Sequence, residues 1–222
     1  MFIGRADLVC YGAAIKLSDR VGTRMSKGFK LLTALCLGAI ALPASAQFAN
    51  SGYSFVQAVR ERDGTKATQL LDAPGSNVIN FRDDKGESAL HVVAGARDLQ
   101  FMRFILGRRA DPNLGNRSGD TPLVIASRIG FLDGVDLLLR NGAQVDKANR
   151  LGETALIIAV QQRQLPVVRR LLESGANPDR TDNATGRSAR DYAKVDSRGA
   201  ELLRMMDSAR PKTPSIVSGP KL

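Results

Sequence analysis

The chain of 222 residues has no tryptophan, a single histidine, two cysteines and only 5% aromatic residues. Both cysteines, Cys10 and Cys36, fall in an N-terminal stretch that reads as a leader. Once that stretch is removed, no disulfide, zinc-cysteine module or thiol nucleophile is left. The lone histidine, His91, has neither a second histidine nor a surviving cysteine with which to complete a metal site. A Walker phosphate loop, a Gly-x-Gly-x-x-Gly turn, a Gly-x-Ser-x-Gly elbow and a His-Glu-x-x-His helix are all missing. The apolar run from Leu31 to Leu42 covers 12 residues and stops at Pro43, whereas a membrane span needs about 20. These absences exclude disulfide scaffolds, zinc-cysteine modules and thiol enzymes, count against a membrane span and leave no recognised catalytic motif.

That short run has a different meaning. From Met25 the order is Lys27 and Lys30, the apolar segment, then Ala44-Ser45-Ala46. A positive start, a short apolar middle and small residues at −3 and −1 make a secretory signal peptide, with cleavage expected between Ala46 and Gln47 and translation expected to start at Met25 rather than Met1. A lipoprotein leader does not fit, because Leu35 stands where a small residue should precede the cysteine. The expected location is the periplasm or the secreted fraction. Removing residues 1–46 takes away six of the 32 Lys and Arg and two of the 22 Asp and Glu, so the net charge falls from +10 to +6.

The rest of the chain repeats itself. Gly86, Gly119 and Gly152 are 33 residues apart, and Gly186 follows after 34. The same step carries Leu90, Leu123 and Leu156; Leu99, Leu132 and Leu165; and Leu106, Leu139 and Leu172. It also carries Ala110, Ala143 and Ala176, and then Asn113, Asp146 and Asp179, with Asn80 one period earlier. A fixed period of this length is the mark of a stacked-repeat architecture, in which each unit buries its apolar face only against its neighbours. Within one period Thr121 caps a short helix, Pro122 takes a first-turn position whose N–H is not needed, and Gly130 ends that helix. A second helix then runs from Leu132 to Leu139, and Gly142 closes it. The periodic leucines, Leu123 and Leu139 among them, are expected in the core.

The segments Gly119-Asp-Thr-Pro-Leu-Val124, Gly152-Glu-Thr-Ala-Leu-Ile157 and Asn141-Gly-Ala-Gln-Val-Asp146 resemble the ankyrin repeat. The resemblance implies an all-α ankyrin-repeat solenoid of stacked helix-turn-helix units with β-turn or hairpin fingers. Full repeats are expected at 83–115, 116–148 and 149–181, flanked by an N-terminal capping repeat at 47–82 and a C-terminal one at 182–208. In the latter, Arg190 interrupts the leucine column. Residues 209–222, with Pro211, Pro214 and Pro220, read as a disordered basic tail. Arg97 and Arg109 stand in columns filled elsewhere by helix-ending glycines, and a side chain at a positive φ costs about 1 kcal/mol. The repeat at 83–115 is therefore expected to be looser there or to cap differently.

The resemblance also gives His91 a structural duty, hydrogen-bonding the Ser88 hydroxyl three residues back and a neighbouring turn. Asp83, Asn116, Asn149 and Asn183 each precede a repeat glycine by three residues, where Asp and Asn bond their own backbone in a turn. That duty, rather than paired-carboxylate catalysis or calcium binding, accounts for them. No catalytic residue, cofactor or metal is expected. The basic residues are interspersed rather than blocked, so nucleic acid is not an expected partner, and Arg108-Arg109 and Arg169-Arg170 read as solvated helix faces.

Binding of a protein is what remains. The resemblance favours the concave side, made by the turn tips and the first helices. Candidate contact residues there are Lys85, Arg117, Ser118, Arg128, Ile129, Arg150, Leu151, Gln161, Gln162 and Arg187. The basic middle of this stripe suits a partner with an acidic surface, since arginine pairs carboxylates bidentately while its stem packs. The competing reading is a secreted effector or inhibitor acting on the enzyme of a host or rival. Oligomeric state is left open.

Overall fold

The structure, a computed structural model, describes residues 44–209. The calls on the leader before Ala44 and on the tail from Arg210 lie outside the described residues. Among the described residues ten helices follow one another: α1 (Ala44–Arg60), α2 (Gly64–Asp72), α3 (Ala89–Gly95), α4 (Leu99–Gly107), α5 (Pro122–Arg128), α6 (Leu132–Arg140), α7 (Ala155–Gln161), α8 (Leu165–Glu173), α9 (Ala189–Val195) and α10 (Ala200–Ala209). Among the described residues there is no strand, only an isolated antiparallel bridge between Thr181 and Ser188. The fold is the all-α solenoid that the repeat implies. Inner helices α3, α5, α7 and α9 stack in one row and outer helices α4, α6, α8 and α10 in another.

Each inner helix is only seven residues long and would be marginal alone. Its first turn is capped from its own sequence: Thr121 accepts from the Val124 N–H and Thr154 from the Ile157 N–H. Burial does the rest. Leu90, Leu123 and Leu156 are at most 1% exposed, and in the outer row Met102, Ile105, Val135, Leu138, Val168 and Leu171 are completely buried. The core expectation is met only in part. The column that opens the outer helices lies at their edge: Leu132 is 37% exposed, and Leu99 and Leu165 are half-buried. Leu139 is half-buried, and its neighbour Leu138 is the residue that fills the core.

Two further sets of bonds recur at the repeat step and join consecutive units. In the first, Asn80 accepts the Asp111 N–H at 2.9 Å, Asn113 the Gln144 N–H at 2.8 Å and Asp146 the Asn177 N–H at 3.0 Å. The Asn/Asp column exists to satisfy a backbone donor of the next unit, and at its end Asp179 instead pairs with Arg190. That arginine, in the leucine column, is a largely buried bridge from Asp179 to Asp207 on α10. Both ion pairs hold its guanidinium in the charged form despite the burial.

The second set lies where the inner helix ends. Arg62, Arg97 and Arg163 adopt positive φ (59°, 56° and 56°), like Gly130 (69°), so the backbone turns the same way whatever the side chain. The side chains offset that strain by reaching the next unit. Arg62 pairs with Asp98 at 3.0 Å. Arg97 donates to the Gly130 carbonyl and lies over the Phe131 ring, and Arg163 holds Asp196 with two bonds of 2.8 and 2.7 Å. At Gly130 a Cβ would fall 2.1 Å from the amide oxygen of Gln164, so there the next unit's side chain occupies the space instead. Arg97 is thus a junction residue, not a loose spot. Arg109 also has positive φ (63°), but among the described residues its side chain has no such bond.

Two measurements follow from this packing. Leu123→Ala and Leu138→Ala should each cost about 2–5 kcal/mol in chemical denaturation, as cavity-forming core changes do, while Leu132→Ala should cost less than about 1 kcal/mol. Arg109→Gly should leave stability unchanged or raise it by up to about 1 kcal/mol by relieving the left-handed backbone. Arg163→Gly should instead lower the melting temperature, because its bidentate pair with the largely buried Asp196 is lost with the strain.

Candidate partner-binding face

Between each outer helix and the next inner helix the chain makes a short finger, and the fingers form one rim of the concave face. Each finger is a turn anchored by its first residue. Asp83 donates its N–H to the Glu87 carbonyl, and its carboxylate accepts the N–H groups of Lys85 and Glu87, both at 2.9 Å. Asn116 does the same for Ser118 and Asp120, and Asn149 for Leu151 and Glu153. Partial burial works against ionising Asp83, but those two N–H groups and the Arg60 guanidinium outweigh it and hold the carboxyl below its ordinary range.

The fingers are tied tip to tip by backbone bonds. The Arg117 N–H donates to the Lys85 carbonyl at 3.1 Å, the Arg150 N–H to the Ser118 carbonyl at 3.0 Å, and the Asn183 N–H to the Leu151 carbonyl at 2.7 Å. This close approach is why a glycine recurs. A Cβ on Gly86, Gly119 or Gly152 would sit 2.7–2.8 Å from the backbone nitrogen of the next finger, and all three have positive φ.

The last finger differs from the expectation. Its anchor is Asp182, not Asn183: the Asp182 carboxylate accepts the N–H groups of Thr185 and Gly186, and its N–H donates to the Arg187 carbonyl. One extra residue in this turn accounts for the step of 34 to Gly186, and it moves Asn183 to the tip position held by Arg117 and Arg150.

The structure therefore brings Lys85, Arg117, Ser118, Arg150 and Leu151 onto one rim, all exposed, with Leu151 55% exposed. Arg187 is exposed on the enlarged fourth finger. Gln161 and Gln162 are exposed at the end of α7, set back from the rim by the length of that helix. Arg128 and Ile129 are less available. Arg128 is half-buried against the Asp120 carboxylate at 2.9 Å, and Ile129 packs against the core.

Ion pairing sorts the cations. Acidic groups of the fingers are already engaged: Asp84, at the tip of the first finger, by the Tyr53 hydroxyl, and at the bases Asp83 and Glu87 by Arg60, Asp120 by Arg128 and Asn149, and Glu153 by Asn149. The side chains of Lys85, Arg117, Arg150 and Arg187 have no hydrogen-bonding or ionic partner among the described residues. On the outer face the expectation of plain solvated arginines fails in two cases. Arg108 pairs with Asp72 and lies over Phe104, and Arg170 bonds Asp136 of the preceding unit and Ser174. Each charge compensates a neighbouring acid, which neither composition nor spacing of the arginines alone reveals.

Asp120 links three units, a role its place among the irregular finger residues did not announce. Its carboxylate holds Arg128 and receives the Asn149 amide at 2.8 Å, while its carbonyl accepts from the Asn116 N–H and from His91 Nε2 at 3.0 Å. His91 Nδ1 faces the Ser88 hydroxyl at 2.8 Å and accepts the Ser88 N–H at 3.1 Å, so the neutral ring with its proton on Nε2 fits every partner. The histidine is the structural link that the resemblance implied. Burial lowers its pKa below the ordinary value, against the opposing pull of the Asp120 carbonyl and the Glu87 charge. No group of three or more His, Cys, Asp or Glu among the described residues is placed to hold a metal ion.

This stack of paired helices, capped by Ser or Thr and joined by glycine-tipped fingers, defines a repeat solenoid built for surface contact. The model of ankyrin repeats in three copies matches residues 55–149 and 96–182, and the chain belongs to the ankyrin-repeat family. It is 32% identical over 91 residues to human ankyrin repeat domain-containing protein 63, which covers 39% of this chain and 24% of that protein. It is 30% identical over 123 residues to the E3 ubiquitin-protein ligase hecd-1 of Caenorhabditis elegans, 51% of this chain and 4% of the ligase. A putative ankyrin repeat protein of Acanthamoeba polyphaga mimivirus, L271, is 31% identical over 81 residues, 36% of this chain and 11% of that protein. The chain thus matches a quarter or less of the length of these relatives, and what is similar is the repeat array. Ankyrin arrays are protein–protein interaction modules and typically non-catalytic.

Because His91 is the only histidine, its titration can be read directly. Its folded pKa lies below that of the unfolded chain, so its contribution to stability is full above about pH 6.5 and is lost as the pH falls below that value, where the unfolded chain takes up the proton first. The melting temperature should therefore fall between pH 6.5 and 5. His91→Ala should cost about 1–3 kcal/mol by leaving the Ser88 N–H without its acceptor, and it should flatten that part of the pH profile. A variant that keeps the wild-type slope would overturn this assignment.

Proposed function

We propose that this chain is a non-catalytic interaction module of an exported compartment, periplasmic or secreted, that binds a protein with an acidic surface on the concave side of its stack. The observation that carries the reading is the charge arrangement at the rim. Carboxylates of the fingers are occupied internally, while Lys85, Arg117 and Arg150 at the tips, and Arg187 at the base of the last finger, have no side-chain partner among the described residues. Guanidinium groups held on consecutive tips raise the local potential and pair carboxylates with two bonds, which gives both steering and geometric selection. Leu151 beside Arg150 adds an apolar contact at the centre of the stripe. Arg128, Ile129, Gln161 and Gln162 form the inner part of the same face, Arg128 in its pair with Asp120. Nucleic acid is a poorer fit, since the basic residues are interspersed with acidic ones rather than gathered into a block.

Export is supported by the order of charged, apolar and small residues before Gln47. Intact-mass measurement of the exported protein should give a chain starting at Gln47.

Reversing both tip arginines, Arg117→Glu with Arg150→Glu, should weaken capture of the partner by about 1–3 kcal/mol, with association slowing as salt rises. Thermal stability should change little, because exposed turn substitutions usually cost less than about 0.5 kcal/mol. The control belongs on the outer face at Arg103 and Arg169, which are exposed and have no ion pair among the described residues, whereas Arg170 is tied to Asp136. Loss of capture by the outer pair and not by the tip pair would refute the concave assignment.

A further inference from the structure

The first finger is the acidic one. It carries Asp83, Asp84 and Glu87 against Lys85, and by the repeat step Asp84 opens the tip column that continues as Arg117 and Arg150. Asp84 lies beside the first of these arginines. The Arg117 N–H is bonded to the carbonyl of Lys85, the residue after Asp84, and a Cβ on Gly86 would meet Arg117 Cγ at 3.4 Å, so the arginine stem lies across the first finger. The same contact recurs one unit on, where a Cβ on Gly119 would fall 3.2 Å from Arg150 Cγ, but there the preceding tip is Arg117 itself. Of the two tip arginines, Arg117 alone has an exposed carboxylate at the preceding tip. Yet among the described residues no ion pair joins Asp84 to Arg117.

The N-terminal helix holds them apart. One period before the first finger, the positions 50–54 that would make another finger belong to α1, and Tyr53 stands in the column of Gly86. The first finger therefore meets a helix instead of a neighbouring tip, and that helix takes up all three of its acids. Arg60 holds Asp83 at 2.6 Å and Glu87 at 3.1 Å, and the Tyr53 hydroxyl donates to the Asp84 carboxylate. Tyr53 is 41% exposed, so burial does not fix it. Its ring is set edge to face against Phe81, with centroids 5.0 Å apart, and Phe81 lies so close over Gly52 that a Cβ there would meet the ring at 2.3 Å. The bond to Asp84 first, then partial desolvation and the Asp84 and Asp83 charges, raises the Tyr53 pKa above its ordinary value, against the opposing pull of Arg117. The hydroxyl thus keeps its proton as a donor, and Arg117 is within electrostatic reach of the same spot.

We infer that Tyr53 is a positioning residue for the rim: its hydroxyl holds the Asp84 carboxylate toward α1, which keeps Arg117 from closing onto that carboxylate and leaves the guanidinium free for the acidic partner. This rests on the proposed concave binding function and adds to it the residue that keeps the site open. Without the hydroxyl, an exposed aspartate and an exposed arginine on adjoining fingers pair with each other, and an incoming carboxylate has to displace the internal one. The effect is of the size of one surface ion pair, about two- to fivefold in affinity.

The test needs no knowledge of the natural partner. Full-length protein is titrated at low salt with an oligoglutamate peptide, and circular dichroism of each variant establishes that it is folded. Arg117→Glu should weaken binding. Tyr53→Phe, which keeps the ring against Phe81 and removes only the hydroxyl, should weaken it about two- to fivefold. Asp84→Asn should bind at least as tightly as the wild type, and Tyr53→Phe combined with Asp84→Asn should bind like Asp84→Asn alone. A second measurement uses no peptide: Arg117→Ala should leave the melting temperature of the wild type unchanged but lower that of Tyr53→Phe, where the Asp84–Arg117 pair has formed. Binding that needs Arg117 but is unchanged in Tyr53→Phe would overturn the inference and leave the basic-rim reading standing. An equal loss from Tyr53→Phe with and without Asp84 would overturn it too, by making Tyr53 itself the contact, and so would an equal effect of Arg117→Ala on both melting temperatures. No binding by the wild type, or binding that survives Arg117→Glu, would overturn the basic-rim reading and with it any role for Tyr53 in binding.

Discussion

Everything in this molecule depends on bonds that cross from one unit to the next at a constant step. No unit could stand alone: an inner helix of two turns and an outer helix slightly longer bury too little to offset the entropy of ordering them. The fingertip N–H, the Asn/Asp acceptor and the left-handed residue at the inner-helix end each form one such crossing in every repeat. Each satisfies a backbone group or relieves a backbone strain in one unit by means of an atom in its neighbour. Stability is then close to a sum over junctions, and the surface that results is registered as tightly as the core, because the same bonds fix both.

That shared registration connects fold to function. The fingertips are loops, yet they are held by anchoring side chains beneath and by the adjoining backbone beside them. A partner meeting this rim pays little to order it, and preorganisation of this kind converts modest contacts into usable affinity. Asp120 shows how closely the two roles are joined. The same residue receives the buried histidine of one unit, the anchor asparagine of the next, and an arginine on the concave face.

Much of the fold was legible in the residues. The glycine period, the Ser/Thr caps and the Leu90, Leu123 and Leu156 column announce paired helices because each answers a local requirement: a positive φ, an orphan N–H, an apolar stripe. The use of the Asn/Asp column was legible only as a regularity, since its acceptors serve donors 31 residues away. Three features were hidden. Leu132 looked like core because it kept the period, but periodicity reports equivalence between units, not burial. Asp182 was passed over for Asn183 because counting back from Gly186 assumes turns of equal length. Arginine pairs such as Arg170 with Asp136 depend on which rotamers meet across a junction, and spacing along the chain does not give that. For the candidate rim, the sequence identified which residues occupy the tips; which cations remain unpaired there required the ion pairs of the whole stack.

The left-handed junctions also differ from one another along the array. At the two outer junctions the contact is ionic, Arg62 with Asp98 and Arg163 with Asp196, whereas at the inner pair it is made by an arginine on a carbonyl and a ring, and by a glutamine filling the space above Gly130. Dissolved ions screen the first kind and hardly touch the second. Ionic strength therefore acts unevenly along the solenoid, more on the junctions at its ends than on those beside the fingers that carry Arg117 and Arg150.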